Sequence, residues 1–274
     1  MQAITRAGPK PWEIMAQRVV WGAVAAGIFV LFARQRPQVR RVLREPRTLG
    51  LLTLSSGLIA VNWVTFIWAV TSGRVLEASL GYYIIPLVNM GVGGLIFREK
   101  LGRIALAAIA FAALGVTVQT IALGRLPWVS IALAVSFGGY GIVRKQVAAE
   151  AQTGLFVECV VLMAPALAYI GWLQATGAGH FLASPQAALW LIASGFLTAT
   201  PLALFAWSAR RLPLSAIGFL QFISPTVSFV TGVLQHEPFG RLNIVAFMLI
   251  WLGVGLFLTG AVRSARRAAL VVDV

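Results

Sequence analysis

Composition and the spacing of apolar runs both predict an all-α membrane protein. Hydrophobic residues make up 59% of the 274 positions and charged residues only 11%, whereas a soluble domain carries about 25% charged residues. The mean hydropathy is +0.87. Such a chain has too few polar side chains to cover its surface in water, so we expect lipid to be the solvent for most of it.

Nine apolar runs are long enough to cross a bilayer as helices, which takes roughly 20 mainly apolar residues each. Most connections are a few residues long, so helices that follow one another should be antiparallel. The longest connection, 34–47, is basic and too short to fold as a domain. The runs cover about 14–33, 48–71, 77–97, 103–122, 127–145, 155–173, 186–207, 213–234 and 242–262.

The basic residues predict which way the helices run through the membrane. Sixteen of the 22 fall in alternate gaps and at the C-terminus, and only Arg74, Arg125 and Arg241 fall in the other gaps. By the positive-inside rule the side with sixteen is cytoplasmic, and so is the C-terminus. Because the basic residues lie in short gaps, the net charge of +14 indicates membrane orientation and not nucleic-acid binding. Nine spans would leave the basic N-terminal segment outside.

An internal repeat suggests why nine spans place the basic N-terminal segment on the outer side, against the positive-inside rule. A shift of about 139 positions aligns Trp68 with Trp207 and Pro86 with Pro225, and spans one to four with spans six to nine. The fifth span has no partner, which predicts two five-helix repeats of opposite topology with the first helix absent. The predicted segments are a first repeat over 1–124, a second over 125–263, and a cytoplasmic tail over 264–274.

Polar and aromatic side chains within the runs are the candidates for substrate contacts, because lipid offers them no hydrogen-bond partner. Structural alternatives remain: amides can join helices, and aromatic rings can form an interfacial belt. Glu77 either complements the helix dipole beside Arg74 or serves as a gate or proton-titrating carboxylate. The candidate cavity-lining residues are Asn62, Trp63, Trp68, Glu77, Tyr82, Tyr83, Asn89, Tyr140 and Gln221.

Other residues have expected structural roles. Pro86 and Pro225 each remove a backbone hydrogen bond and should kink their helices at the sites of movement. Arg18 and Glu158 should snorkel or pair locally. The acidic residues that end the third and eighth spans, Glu99 and Glu237, should neutralise nearby arginines or cap the next helix.

The same inventory argues against other functions. There is no Gly-x-x-x-x-Gly-Lys-Ser/Thr sequence, so ATP is not the direct energy source. Eight acidic residues, a single cysteine and two distant histidines, expected at the interface, do not suggest an enzyme, a metal site or a cofactor. The alternatives to a transporter are a passive channel or a truncated, non-transporting membrane protein.

Four segments resemble the RarD group of the EamA family, in the drug/metabolite transporter superfamily. They are residues 62–101, PWEIMAQRVVW, SFGGYGIVRK and FLQFISPTVSFVTGV. The resemblance implies ten helices, a central cavity and alternating access in a bacterial inner membrane. It also implies a group associated by name with chloramphenicol sensitivity. Independently of the resemblance, the missing nucleotide-binding loop leaves a proton gradient or a substrate gradient as the energy source for moving a small organic solute. The oligomeric state is left open.

Overall fold

The structure is a computed structural model that describes residues 10–272 except 73, 100, 125–127, 224–226 and 228–240; the side chains of 75, 76, 79, 123, 243 and 261–272 also fall outside the description. All regular elements in the described part are helices, which confirms the predicted all-α class. They are α1 Pro11–Phe32, α2 Arg36–Arg44, α3 Pro46–Thr71, α4 Val75–Leu95, α5 Arg103–Leu123, α6 Trp128–Gln146, α7 Ala151–Ala175, α8 Pro185–Arg211, α9 Leu214–Gln221 and α10 Arg241–Val272.

Five of the described helices, α1, α3, α5, α7 and α8, are long and apolar enough to cross a membrane. Shorter apolar stretches lie in α4 and α10, at Leu80–Leu95 and Ile244–Gly260. The nine spans and the inverted repeat therefore remain predictions. The helix α2 was not predicted, because its sequence is dominated by arginines and shows no apolar run. The helix is held by Val42 on its inner face, which is only 1% exposed.

The chain divides into two compact units. Unit 1 comprises Met1–Thr71 and Gly139–Arg211, and unit 2 comprises Ser72–Gly138 and Leu212–Val274. Each unit takes segments from both predicted repeats, and the boundary between units falls within α6. The repeat limits at 124 and 263 stay predictions.

Unit 1 is built around α1, which packs against α7 and α8. Small side chains make this possible: Ala23, Ala25 and Ala26 lie in a common core with Leu155 and Ala199. Small residues let helix backbones approach closely where lipid supplies no hydrophobic drive for association.

Unit 2 depends on two helix pairs, α5 with α10 and α4 with α9. In the first pair glycine is required on both helices. A Cβ atom at Gly115 would lie 2.6 Å from the carbonyl oxygen of Ala246, and one at Gly253 would lie 2.6 Å from that of Ala108. The backbones touch there, so any side chain would force the helices apart.

We predict that Gly253→Val lowers the free energy of unfolding in detergent by roughly 1–3 kcal/mol, the usual effect of overpacking. Gly255→Val is the matched control, since a Cβ at Gly255 meets no atom within 4 Å and both changes have the same intrinsic effect on the helix. Equal losses of thermal stability in the two variants would show that α5 and α10 do not cross at Gly253.

Candidate functional site

Unit 1 buries a charged cluster inside apolar helices. Arg144 is fully buried and Glu158 is 2% exposed, and Arg144 Nη1 lies 3.6 Å from Glu158 Oε1. Ser55 donates to Glu158 Oε1 at 2.5 Å and Tyr140 donates to Oε2 at 3.3 Å. Three helices, α3, α6 and α7, thus converge on one carboxylate.

Local helix geometry explains how the cluster forms. Tyr140 and Arg144 are four residues apart on α6, so their side chains share a face. Gly154 on α7 makes room for the guanidinium, because a Cβ there would collide with Arg144. The Tyr140 ring is held by stacking on Phe205 with ring centroids 5.8 Å apart.

Arg144 keeps unused hydrogen-bonding capacity. Its Nη2 donates to the carbonyl oxygen of Ala151 at 3.2 Å, while Nε and Nη1 make no hydrogen bond within the described part of the chain. The guanidinium is therefore held mainly by the charge of Glu158. A proton on Glu158 would remove that charge and leave Arg144 buried without a counter-ion.

The predicted residues of α3 lie in unit 1. Asn62 is buried, at 7% exposure, and Trp68 and Trp63 are half-buried. The Arg18 guanidinium lies over the Trp63 ring, 5.9 Å from its centroid. Arg18 on α1 thus contacts the aromatic face of a residue on α3.

Trp63 also lines a cavity of about 290 Å³ between α1, α3 and α7. Two further aromatic side chains, Trp12 and Tyr169, lie in its wall, and no described lining residue is charged. The cavity is close to the smallest volume usual for a small-molecule site, about 300 Å³. Its chemistry suits an apolar or aromatic group.

In unit 2 the structure brings Asn89 and Gln221 together. Asn89 Nδ2 donates to Gln221 Oε1 at 2.6 Å. Asn89 is fully buried, and its Oδ1 has no hydrogen-bond partner in the described residues. An unsatisfied buried acceptor costs about 1–3 kcal/mol, so this amide oxygen is suited to accept a hydrogen bond from a bound molecule.

Three further predicted residues of α4 lie within two helical turns before Asn89. Tyr82 is 40% exposed, Tyr83 packs against the unit 2 core, and the two adjacent rings differ in surroundings, as helix geometry requires. Pro86 is buried within α4. Pro225 lies outside the described residues.

Glu77 lies at the start of α4 and is fully buried. Arg74 Nη1 is 3.4 Å from Glu77 Oε1, and the Arg74 guanidinium also lies over the Trp128 ring at 5.9 Å. Ser130 on α6 donates to the Glu77 carbonyl oxygen at 2.5 Å. These contacts fit the dipole-complementing role, and the gate remains a proposal.

Glu99, which is expected to neutralise nearby arginines or to cap the next helix, directs its described hydrogen bonds to a distant helix. Its carboxylate accepts hydrogen bonds from the backbone N–H groups of Leu214 and Ser215, at 2.7 and 3.1 Å, and from the Ser215 hydroxyl at 2.7 Å. It therefore caps α9, more than a hundred residues away, where the helix dipole favours a negative charge. Glu237 lies outside the described residues.

A second buried carboxylate in unit 1 holds the connection between α7 and α8. Glu13 is 1% exposed. It accepts from the His180 backbone N–H at 2.6 Å and lies 2.8 Å from His180 Nδ1. The histidine is half-buried and fastens its connection to the start of α1.

Sequence reasoning missed Arg144, which was counted only as an orientation charge. Its spacing of four from Tyr140 is the signal that could have found it. Glu158 was expected to snorkel or to pair with a nearby residue. Its ion-pair partner, Arg144, lies on α6, which one short connection joins to α7.

Several known proteins are similar in sequence to most of this chain. The EamA-like transporter family matches residues 2–121. Protein RarD of Streptomyces exfoliatus is 40% identical over 93% of this chain and 82% of its own length. Protein RarD of Escherichia coli is 37% identical over 94% and 88%. The chloramphenicol-sensitive protein RarD of Pseudomonas aeruginosa is 30% identical over 94% and 87%.

The fold also occurs in a solved crystal structure. It aligns with 96% of this chain and 92% of its own, with a TM-score of 0.69 and 18% identity. At that identity the match concerns the fold alone.

Apolar helices that enclose charged and amide groups, in a chain that matches the EamA-like transporter family, define a multi-pass transporter of the inner membrane. The chain belongs to the EamA-like transporter family, in its RarD group of drug/metabolite transporters.

We predict that Glu158→Gln and Arg144→Met each lower the free energy of unfolding in detergent by roughly 3–5 kcal/mol, because each leaves a partner charge buried alone. The double variant should lose clearly less than the sum. Glu150→Gln is the control: its ion pairs with Arg210 and Arg211 are partly exposed, and exposed pairs are worth about 1 kcal/mol or less. Additive losses would mean that Arg144 and Glu158 are not coupled.

Proposed function

We propose that the protein is a secondary transporter that moves small organic metabolites or drugs, chloramphenicol among the candidate cargoes, across the inner membrane by alternating access. The observation that carries this proposal is the Glu158–Arg144 pair buried among apolar helices of a chain that belongs to the EamA-like transporter family. Intramembrane charges are retained where they serve ion or substrate pathways.

In this proposal Glu158 is the proton-coupling carboxylate. The other titratable or charged side chains that contact or adjoin it are Tyr140 and Arg144 on α6 and Cys159 on its own helix, while α3 contributes the hydroxyl of Ser55. Proton uptake would neutralise Glu158 and release Arg144. Because three helices meet at this carboxylate, a change in its charge alters the packing of all three.

Substrate contacts are proposed within each unit separately. In unit 1 they are Asn62, Trp63, Trp68 and Tyr140, with the aromatic cavity at Trp63 receiving an apolar group. In unit 2 the polar contact is the Asn89–Gln221 pair. The further unit 2 candidates are Glu77, Tyr82 and Tyr83, and the proposed hinges are Pro86 and Pro225. The proposal also places the C-terminus in the cytoplasm.

We predict that proteoliposomes containing the protein take up labelled chloramphenicol, or another member of a panel of small organic solutes, faster under an imposed pH gradient. In Glu158→Gln the gradient should have no effect, because the side chain can no longer exchange a proton. Glu150→Gln should keep the full response. Gradient-stimulated uptake by the Glu158→Gln protein would remove Glu158 from the coupling mechanism, and absence of uptake of every solute by wild type would contradict transport.

We predict that Asn89→Leu and Gln221→Leu raise the KM for the transported solute by roughly 3- to 10-fold, the range expected for one lost hydrogen bond. Thr117→Val is the control, since its hydroxyl is exposed and bonds only within its own helix, to Ala113. If the two variants unfold at lower temperature but keep the wild-type KM, the amide pair joins helices and does not bind substrate.

A further inference from the structure

The short helix α2 presents an arginine face, which we define as Arg40, Arg41 and Arg44. All three side chains are exposed. With Pro37, Glu45 and Pro46 they surround a shallow depression of about 560 Å³. On a helix these three residues lie on one side, because successive residues are rotated by about 100°.

The opposite face of α2 is fixed to unit 1. Val42 lies in a core with Leu52, Val143 and Val157. Gln38 accepts a hydrogen bond from the Glu150 backbone N–H at 3.1 Å. The helix cannot roll to bury its arginines without losing these contacts.

Connectivity holds α2 at the membrane surface. Three residues separate α2 from the end of α1, and only Glu45 separates it from α3. Both α1 and α3 are long and apolar enough to span a bilayer. Three residues reach about 10 Å at most, which is within the headgroup layer. Leu43, 53% exposed, lies next to Arg40 around the helix and provides an apolar contact for lipid.

Among the residues that the structure describes, acidic side chains do not neutralise the arginine face. Neither its three guanidiniums nor Glu45 forms an ion pair with any residue that the structure describes. One carboxylate against three guanidiniums leaves a net positive surface within reach of the headgroups. Guanidinium groups bind phosphate oxygens in a bidentate manner.

We propose that the arginine face of α2 binds the phosphate headgroups of anionic phospholipids. A membrane lipid is favoured over a soluble phosphate because α2 is held in the headgroup layer and carries an exposed leucine beside the arginines. This site is separate from the proposed transport function, and binding can be measured without any transport.

The test measures binding of phosphatidylglycerol to the detergent-purified protein by native mass spectrometry. The variant Arg40→Gln/Arg41→Gln/Arg44→Gln should bind roughly 100-fold more weakly, since each arginine near an anionic surface contributes about fivefold. Phosphatidylcholine should bind both proteins weakly. The control Arg98→Gln/Arg103→Gln/Arg241→Gln removes three exposed arginines and the same net charge, and should bind as wild type does.

Three results would overturn the proposal. The first is equal phosphatidylglycerol affinity in the two triple variants. The second is equal binding of phosphatidylcholine and phosphatidylglycerol by wild type. The third is full competition by soluble glycerol phosphate at the same concentration as the lipid, which would assign the face to a free phosphate. If the triple variant does not fold, the three single variants replace it, each expected to weaken binding roughly fivefold.

Discussion

The hydrocarbon core of a bilayer offers no hydrogen bonds to a protein, and this constraint governs every polar group that the apolar helices place there. Hydroxyls of the spanning helices satisfy it locally: Ser194, Thr198 and Thr117 donate to carbonyl oxygens of their own helices. The Glu158 carboxylate is instead held by partners from two other helices, α3 and α6. The packing of unit 1 follows from this, because α6 and α7 must keep Arg144 and Glu158 together while Gly154 leaves space for the guanidinium.

Close packing is the second consequence of the same environment. Without water to drive helices together, contact area has to come from backbones that touch. In unit 1 the backbone of α8 meets α1 at Gly195. In unit 2 Gly218 brings α9 against the carbonyl oxygen of Pro86, and a few residues further on the Asn89 and Gln221 amides meet. Glycine contacts thus determine which polar side chains can reach each other.

The sequence predicted the helices well because apolar length is a local property. The predicted run at 103–122 corresponds to α5, Arg103–Leu123, and the predicted run at 127–145 corresponds to α6. The same reasoning did not predict α2, since its arginine-rich sequence hides the contact of Val42. Contacts between residues on different helices were also not predicted. The residues near Glu99 do not indicate that it caps α9, and those near Arg144 do not indicate that it faces Glu158. The proximity of Asn89 and Gln221 was suggested by the predicted repeat, in which the helices that carry them occupy equivalent positions.

The cap on α9 has a consequence for biosynthesis. Glu99 leaves the ribosome more than a hundred residues before Leu214, whose backbone N–H donates a hydrogen bond to the Glu99 carboxylate. Unit 2 is likewise built from α4 and α5, made early, and α9 and α10, made last. The early helices are therefore synthesised before the helices that they pack against, which lie in the final quarter of the polypeptide.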